Sequence, residues 1–239
     1  MVTGGAGFIG SHLCEALLKK GNTVVNIDSF SNFYNLQVKI KNVEQAYNIL
    51  NIFNIPSHRY IVEEGDIRDL TFLKRIFDQN SVDIVVHLAA CAGVRPSIES
   101  PLLYTHVNVN GTANLLEMCR AYRIKRFIFA SSPYAATKKA GELMCHTYFS
   151  LYKMNIACLR FFTAYGPRQR PDLAIYKFTQ LINEGKPIEL YGDGSTERDY
   201  TYIDDILDGV IKAIDWTGRF DGIYEIFNLG ESNTISLAD

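Results

Sequence analysis

The chain of 239 residues has no apolar run of membrane-spanning length, and no signal peptide precedes its first motif. It has no basic excess. Lys and Arg number 24 against 26 Asp and Glu, a net charge of −2, which argues against nucleic acid or an anionic membrane as partner. C-x-x-C spacing is absent. The five cysteines, at 14, 91, 119, 145 and 158, are scattered and fall mostly on expected helices or strands. They are expected to be buried free thiols in a reducing cytoplasm. The five histidines form no ligand-like cluster, so no metal is expected. There is no internal repeat and no low-complexity tract. Even the first strand is nearly missing. Only Met1 and Val2 precede Thr3, where a strand needs about 5 residues, so the natural N-terminus is expected to be longer.

What is present begins at once. Thr3-Gly4-Gly5-Ala6-Gly7-Phe8-Ile9-Gly10 spaces glycines at 4, 7 and 10 ahead of an amphipathic helix striped with Leu13, Ala16, Leu17 and Leu18. Without Cβ atoms in the way, the N–H groups at that helix start, including Phe8 and Ile9, can approach a pyrophosphate. Gly4 suits the tight turn, Gly7 the approach and Gly10 close helix–strand packing. Residues 23–27 read as a second strand with Asp28 at its end. A carboxylate about 20 residues past the fingerprint can bond both adenosine ribose hydroxyls and repels a 2′-phosphate, so NAD rather than NADP is expected.

Strand and helix patterns then alternate, which predicts an α/β fold with a doubly wound parallel sheet covered on both faces. An Asn-rich connection with a helical middle fills 29–58, and Arg59–Val62 is a third strand. Gly65-Asp66-Ile67 opens the way to a helix over 70–79. Asp66 is either a partner of the adenine amino group, with Ile67 packed on the ring, or a plain turn residue. A fourth strand over 82–90 ends in Leu88-Ala89-Ala90, small enough at the last two positions to leave room for a ligand. His87 alone reads as a satisfied structural histidine. Arg95 can clamp a phosphate or carboxylate, or can make a surface ion pair. A long helix is expected over about 101–122.

The fifth strand, Arg126–Ala130, leads to Ser131-Ser132, and a helix is expected from Pro133 to about Lys153. Tyr134 and Lys138 are four apart and would share a helix face. Tyrosine is a poor base at neutral pH, but a nearby ammonium and the nicotinamide charge would favour the phenolate. Residues 155–160 are a sixth strand. Beyond it, a stretch rich in turn formers and arginine runs from Phe161 to Asp172 as the crossing into a smaller lobe. A helix over 174–184, strands at 187–191, 198–202 and 226–230, and a helix over 203–214 complete the reading. Residues 1–162, with 203–229 returning, are expected as the dinucleotide-binding domain, and 163–202 with 230–239 as part of a substrate lobe.

Thr3–Gly10, Asp28, Gly65–Ile67, His87–Ala90, Asn108–Thr112, Tyr134–Lys138 and Arg198-Asp199-Tyr200 together resemble the extended short-chain dehydrogenase/reductases, and within them the nucleotide-sugar 4-epimerases. Ala92–Glu99 and the stretch from Arg160 through Asp172 resemble the UDP-glucuronate 4-epimerase branch. The resemblance implies NAD as cofactor and a UDP-sugar as substrate. It implies Tyr134 as catalytic base, Lys138 as its partner and ribose ligand, and Ser132 as the hydroxyl beside them, with Ser131 the other candidate. It also implies Thr163 and Arg170 facing the sugar, Arg198 on a UDP phosphate, Tyr191 near the uracil, and a homodimer joined through the helices at 101–122 and 134–153. In the family, a longer segment separates the serines from Pro-Tyr. Ser132 abuts Pro133 here, so an omitted segment is expected between them. The remaining readings are a neutral UDP-sugar 4-epimerase, a UDP-glucuronate decarboxylase, a 4,6-dehydratase and a non-catalytic NAD-binding regulator.

Overall fold

The computed structural model describes residues 1–132, 135–189 and 195–236. The first half of the chain alternates strand and helix: β1 (Val2–Thr3), α1 (Phe8–Lys19), β2 (Val24–Asp28), α2 (Leu36–Ile52), β3 (Tyr60–Glu64), α3 (Leu70–Gln79) and β4 (Ile84–His87). The middle carries α4 (Val94–Glu99), α5 (Pro101–Thr105), α6 (Gly111–Ala121), β5 (Arg126–Ser131), α7 (Ala136–Tyr152) and β6 (Asn155–Phe161). After β7 (Thr163–Tyr165) follow α8 (Ala174–Asn183), β8 (Glu197–Tyr202), α9 (Ile203–Trp216), β9 (Tyr224–Leu229) and β10 (Thr234–Ser236).

Among the described residues, seven parallel strands form one sheet in the order β3-β2-β1-β4-β5-β6-β9. Both faces are covered, so the strands read as nearly continuous apolar runs. In β5, Ile128 points into a layer with Leu13 and Leu18 of α1 and Ile206 and Val210 of α9. Its neighbours Phe127 and Phe129 point into the opposite layer, with Leu73 and Ile76 of α3, Leu115 of α6 and Cys145 of α7. Four of the cysteines are buried and Cys91 is half-buried, all as free thiols. A second sheet of three strands, β10-β8-β7, extends from the end of the large one. No helix among the described residues is long and apolar enough to cross a membrane.

The long helix expected over about 101–122 runs without interruption from Pro101 to Ala121, with a π-helical turn over His106–Asn110 between α5 and α6, and α4 precedes it. Ser100 separates α4 from α5 with φ −133 and ψ 59, because a residue before proline is pushed out of the helical region. Three expectations change. Helix α7 begins at Ala136, not Pro133, and Pro133 and Tyr134, where the omitted segment is expected to join, lie outside the described residues. Residues 187–189 form no strand, and 190–194 lie outside the described residues. The strand at 226–230 is not the last, since β10 pairs antiparallel with β8.

Candidate active site

The site lies along the C-terminal edge of the parallel sheet, where the strand order reverses between β1 and β4. The turn after β1 is possible only with glycine. Gly4 has φ +75, and a Cβ there would stand 2.8 Å from the Ala89 nitrogen, so the turn lies directly on the end of β4. A Cβ on Gly10 would stand 2.2 Å from the Gly4 oxygen, which lets α1 start against that turn. The N–H groups of Phe8, Ile9 and Gly10 precede the first helical bond, Ser11 N–H to Gly7 O at 3.0 Å. They present donors and a positive helix end to an anion.

Asp28 ends β2 and is almost fully buried. Its Oδ2 accepts the Ala6 N–H at 3.2 Å, and its Oδ1 accepts the Phe30 N–H at 2.8 Å and the Lys39 ammonium at 3.1 Å. Lys39 comes from α2 and is also buried. It was not singled out from the sequence, because a lysine inside a long polar connection carries no local signature. Asp66 is gripped by Arg68, whose Nη2 is 2.6 Å from Oδ2. Those hydrogen bonds hold its carboxyl below the usual range. Ile67 is buried against Gly111 of α6, where a Cβ would stand 2.5 Å from its Cδ1.

The end of β4 is held by a chain of polar contacts. Thr112 donates to the Asn108 carbonyl at 2.6 Å, so its oxygen accepts from His87 Nε2 at 2.9 Å. His87 Nδ1 is then the acceptor for the Thr3 hydroxyl at 2.8 Å, and Thr3 Oγ1 accepts the Ala89 N–H at 3.2 Å. Burial, aided by the Lys138 charge, keeps the imidazole neutral. His87 is therefore the satisfied structural histidine that the sequence suggests. Asn108 sits in the π-helical turn, and both polar ends of its amide bond the Cys91 backbone, at 2.8 and 3.0 Å. Its amide also donates to Thr137 at 3.1 Å, tying the loop after β4 to α7.

At the end of β5, Lys138 donates to the Ala130 carbonyl at 2.7 Å and lies 5.0 Å from the centre of the Phe129 ring. Burial lowers its pKa to about 8, against the opposing pull of Cys145 and Cys91. Ser131 donates to the buried Glu142 at 2.7 Å. Ser131 thus has its proton committed to Glu142, and the half-buried Ser132 follows it in the chain. Tyr134 and Tyr191 lie outside the described residues. Arg95 is in α4. Thr163 opens β7 opposite Tyr200 of β8. Arg170 pairs with Asp172 at 2.9 Å and lies 5.6 Å from the centre of the Phe33 ring. Arg198 is exposed on β8, donating to the Glu197 carbonyl at 2.9 Å. The glycines, Asp28, Leu88–Ala90 and Lys138 are thus gathered on one edge, whereas Thr163 and Arg198 belong to the small sheet.

Two family models match in succession: "GDP-mannose 4,6 dehydratase" over residues 1–132 and "NAD dependent epimerase/dehydratase family" over 130–230. The "UDP-glucuronate 4-epimerase" of Thermodesulfobacterium geofontis is 39% identical over 260 aligned positions, covering 99% of this chain and 76% of that protein. The chain belongs to the NAD-dependent epimerase/dehydratase family. That alignment is longer than the 239 residues here, so the relative carries positions without a counterpart in this chain. Among solved structures, UDP-glucuronic acid 4-epimerase from Bacillus cereus, in complex with UDP-glucuronic acid and NAD, has a TM-score of 0.85 and 36% identity. It covers all of this chain and 79% of its own. A Tyr-to-Phe mutant of the same enzyme, with UDP-4-deoxy-4-fluoro-glucuronic acid and NAD, has a TM-score of 0.86 and 35% identity over the same shares. This epimerase-family chain therefore has the extended short-chain dehydrogenase/reductase fold read from its motifs.

Proposed function

We propose that the chain is an NAD-dependent 4-epimerase that interconverts UDP-glucuronate and UDP-galacturonate through a 4-keto sugar. The observation that carries this is Lys138, a buried ammonium held at the Ala130 carbonyl on the sheet edge that also bears the glycine cradle and Asp28. The residues fit the cofactor. The cradle at Gly4 is shaped by the absence of a Cβ, the start of α1 offers N–H donors to a pyrophosphate, and Asp28 stands where a ribose diol would bond. When bound, NAD supplies a hydride acceptor and donor for C4 of the sugar.

In this reading the Tyr134 phenolate takes the proton from the 4-hydroxyl and later returns it, with the Lys138 ammonium favouring the phenolate. Ser132 bonds the same sugar oxygen, since the Ser131 proton is held by Glu142. Phe8, Ile9, Gly10, Asp66, Ile67, Leu88, Ala89 and Ala90 line the cofactor. Arg198 and Tyr191 hold the UDP part. Arg95, Thr163 and Arg170 face the sugar, and an acidic sugar matches the arginines. Residues 1–162 and 203–229 form the cofactor domain, with 163–202 and 230–239 contributing to the substrate lobe. A cytoplasmic homodimer is the assembly we favour.

The test is incubation with UDP-glucuronate, UDP-glucose and UDP-N-acetylglucosamine separately, with products resolved by NMR. UDP-galacturonate formed without added NAD is the expected result. Conversion of a neutral sugar alone would reassign Thr163 and Arg170. Tyr134→Phe should keep NAD and lose about 10²–10⁴ in turnover; normal turnover in that variant would refute the role of Tyr134.

A further inference from the structure

Glu142 is a charge in a place that ordinarily excludes charge. Its side chain, on the second turn of α7, is 1% exposed. Four donors from three elements converge on it. Arg160 of β6 binds both oxygens, Nε to Oε1 at 2.7 Å and Nη2 to Oε2 at 2.8 Å. Lys139 of α7 donates to Oε2 at 2.8 Å, and Ser131 of β5 to Oε1 at 2.7 Å. The Glu142 carbonyl accepts the Tyr224 hydroxyl of β9 at 3.2 Å. Burying a carboxylate is costly unless its lone pairs are satisfied, and here they are. Gly141, next to it, lets the helix press on β5, since a Cβ there would stand 2.2 Å from the Phe129 ring.

One helical turn earlier, Lys138 holds the Ala130 carbonyl. Two side chains four residues apart on α7 thus grip two consecutive residues of β5, and Ser132 is the next residue. We infer that Glu142 is a positioning residue for the epimerisation: through Ser131 it fixes the end of β5, and with it Ser132, in register with Lys138. The inference rests on the function proposed above.

Glu142 acts on geometry and not on the Lys138 proton, whose titratable surroundings include Cys145 of α7, Cys91 of the loop after β4 and the neutral His87 of β4. Ser131→Ala breaks the link to the strand while leaving the Arg160–Glu142 pair intact, so it tests the idea without stranding a charge. Ser131→Ala and Glu142→Gln should each lower kcat about 10- to 100-fold, the scale set by small misplacements of reacting groups. KM for UDP-glucuronate and the shape of the pH profile should stay unchanged. The double variant should be no slower than Glu142→Gln, because both break one link. Ser131→Thr, which keeps the hydroxyl, should restore turnover. Amide exchange at residues 130–132 should quicken in Ser131→Ala, with the rest of β5 unaffected.

Variants with wild-type kcat and only a lowered Tm would overturn the inference and leave a purely structural network. If Glu142→Gln fails to fold, Ser131→Ala decides alone. A wild-type protein inactive on every UDP-sugar would sink the proposed function instead. The exchange readout would then decide this inference, with quicker exchange at 130–132 supporting it and unchanged exchange overturning it.

Discussion

Among the described residues two carboxylates are buried, Asp28 and Glu142, and they are built differently. Asp28, at the end of β2, receives three donors, two from backbone N–H groups and one from Lys39. Glu142, on α7, receives four, all from side chains, two of them a bidentate arginine. Asp28 ends its strand at the open edge of the sheet and retains acceptor capacity there. Glu142 faces inward between α7, β5 and β6, and its oxygens are saturated. The same residue chemistry thus serves two ends. A carboxylate with spare lone pairs at an edge can receive a ligand, and one with none can only hold elements together.

Breaking the contrast at its strongest point means removing the Lys138 ammonium. Lys138→Met should reduce kcat about 10²–10⁴-fold if the ammonium supports the phenolate, measured with UDP-glucuronate under saturation. The same lysine sets a pH signature. Its folded pKa of about 8 lies below the unfolded 10.5, so the unfolded chain binds more protons between these values and stability rises with pH across that window. Activity should move the other way, with kcat/KM falling as pH climbs through about 8. Thermal melts from pH 7.5 to 10.5 should lose this component of their slope in Lys138→Met.

A middle-sized effect tests Asp28, the carboxylate with spare acceptor capacity. Asp28→Ala leaves the Lys39 ammonium buried without its counter-charge, at a cost of about 3–5 kcal/mol. Asp28→Ala with Lys39→Met should recover much of that stability in denaturant titrations, yet neither variant should regain NAD affinity. Recovery of stability and affinity together would mean that Asp28 is merely structural, like Glu142.

The smallest expected effect belongs to the saturated carboxylate. Burial pushes the Glu142 carboxyl up, but the hydrogen bonds from Arg160, Lys139 and Ser131 outweigh it and bring its pKa to about 2. A depressed carboxyl contributes stability above its unfolded value of 4.5 and loses it as pH falls through the folded value. The Tm difference between wild type and Glu142→Gln should therefore be constant above pH 5 and shrink between pH 4.5 and 2. A difference independent of pH would remove the charge from the account.

Much of the fold was legible because it rests on local periodicity. Helices over 70–79 and 174–183 and a strand ending at Asp28 stand where pattern and turn chemistry put them. Pattern did not show the π-helical turn after Pro101: residues 105–112, Thr-His-Val-Asn-Val-Asn-Gly-Thr, are poor helix formers, but weak propensity does not say which helical hydrogen-bond pattern results. The π-helical turn there is set by Asn108 reaching across to the Cys91 backbone, 17 residues away in the chain. The short β7 and β10 escaped because strands of three residues leave no period to read.

The candidate site divides along the same line. By itself, the sequence offered the glycine turn, Asp28 and the Tyr134–Lys138 spacing as candidates, because each is read from a fixed spacing along a short stretch of chain. Only the tertiary structure decided that the Ser131 proton goes to Glu142, what holds the end of β5, and which cation faces Asp28. Those contacts join residues 8 to 29 positions apart across strand, loop and helix. Long-range pairing of that kind is set by how the layers pack, which no local spacing encodes.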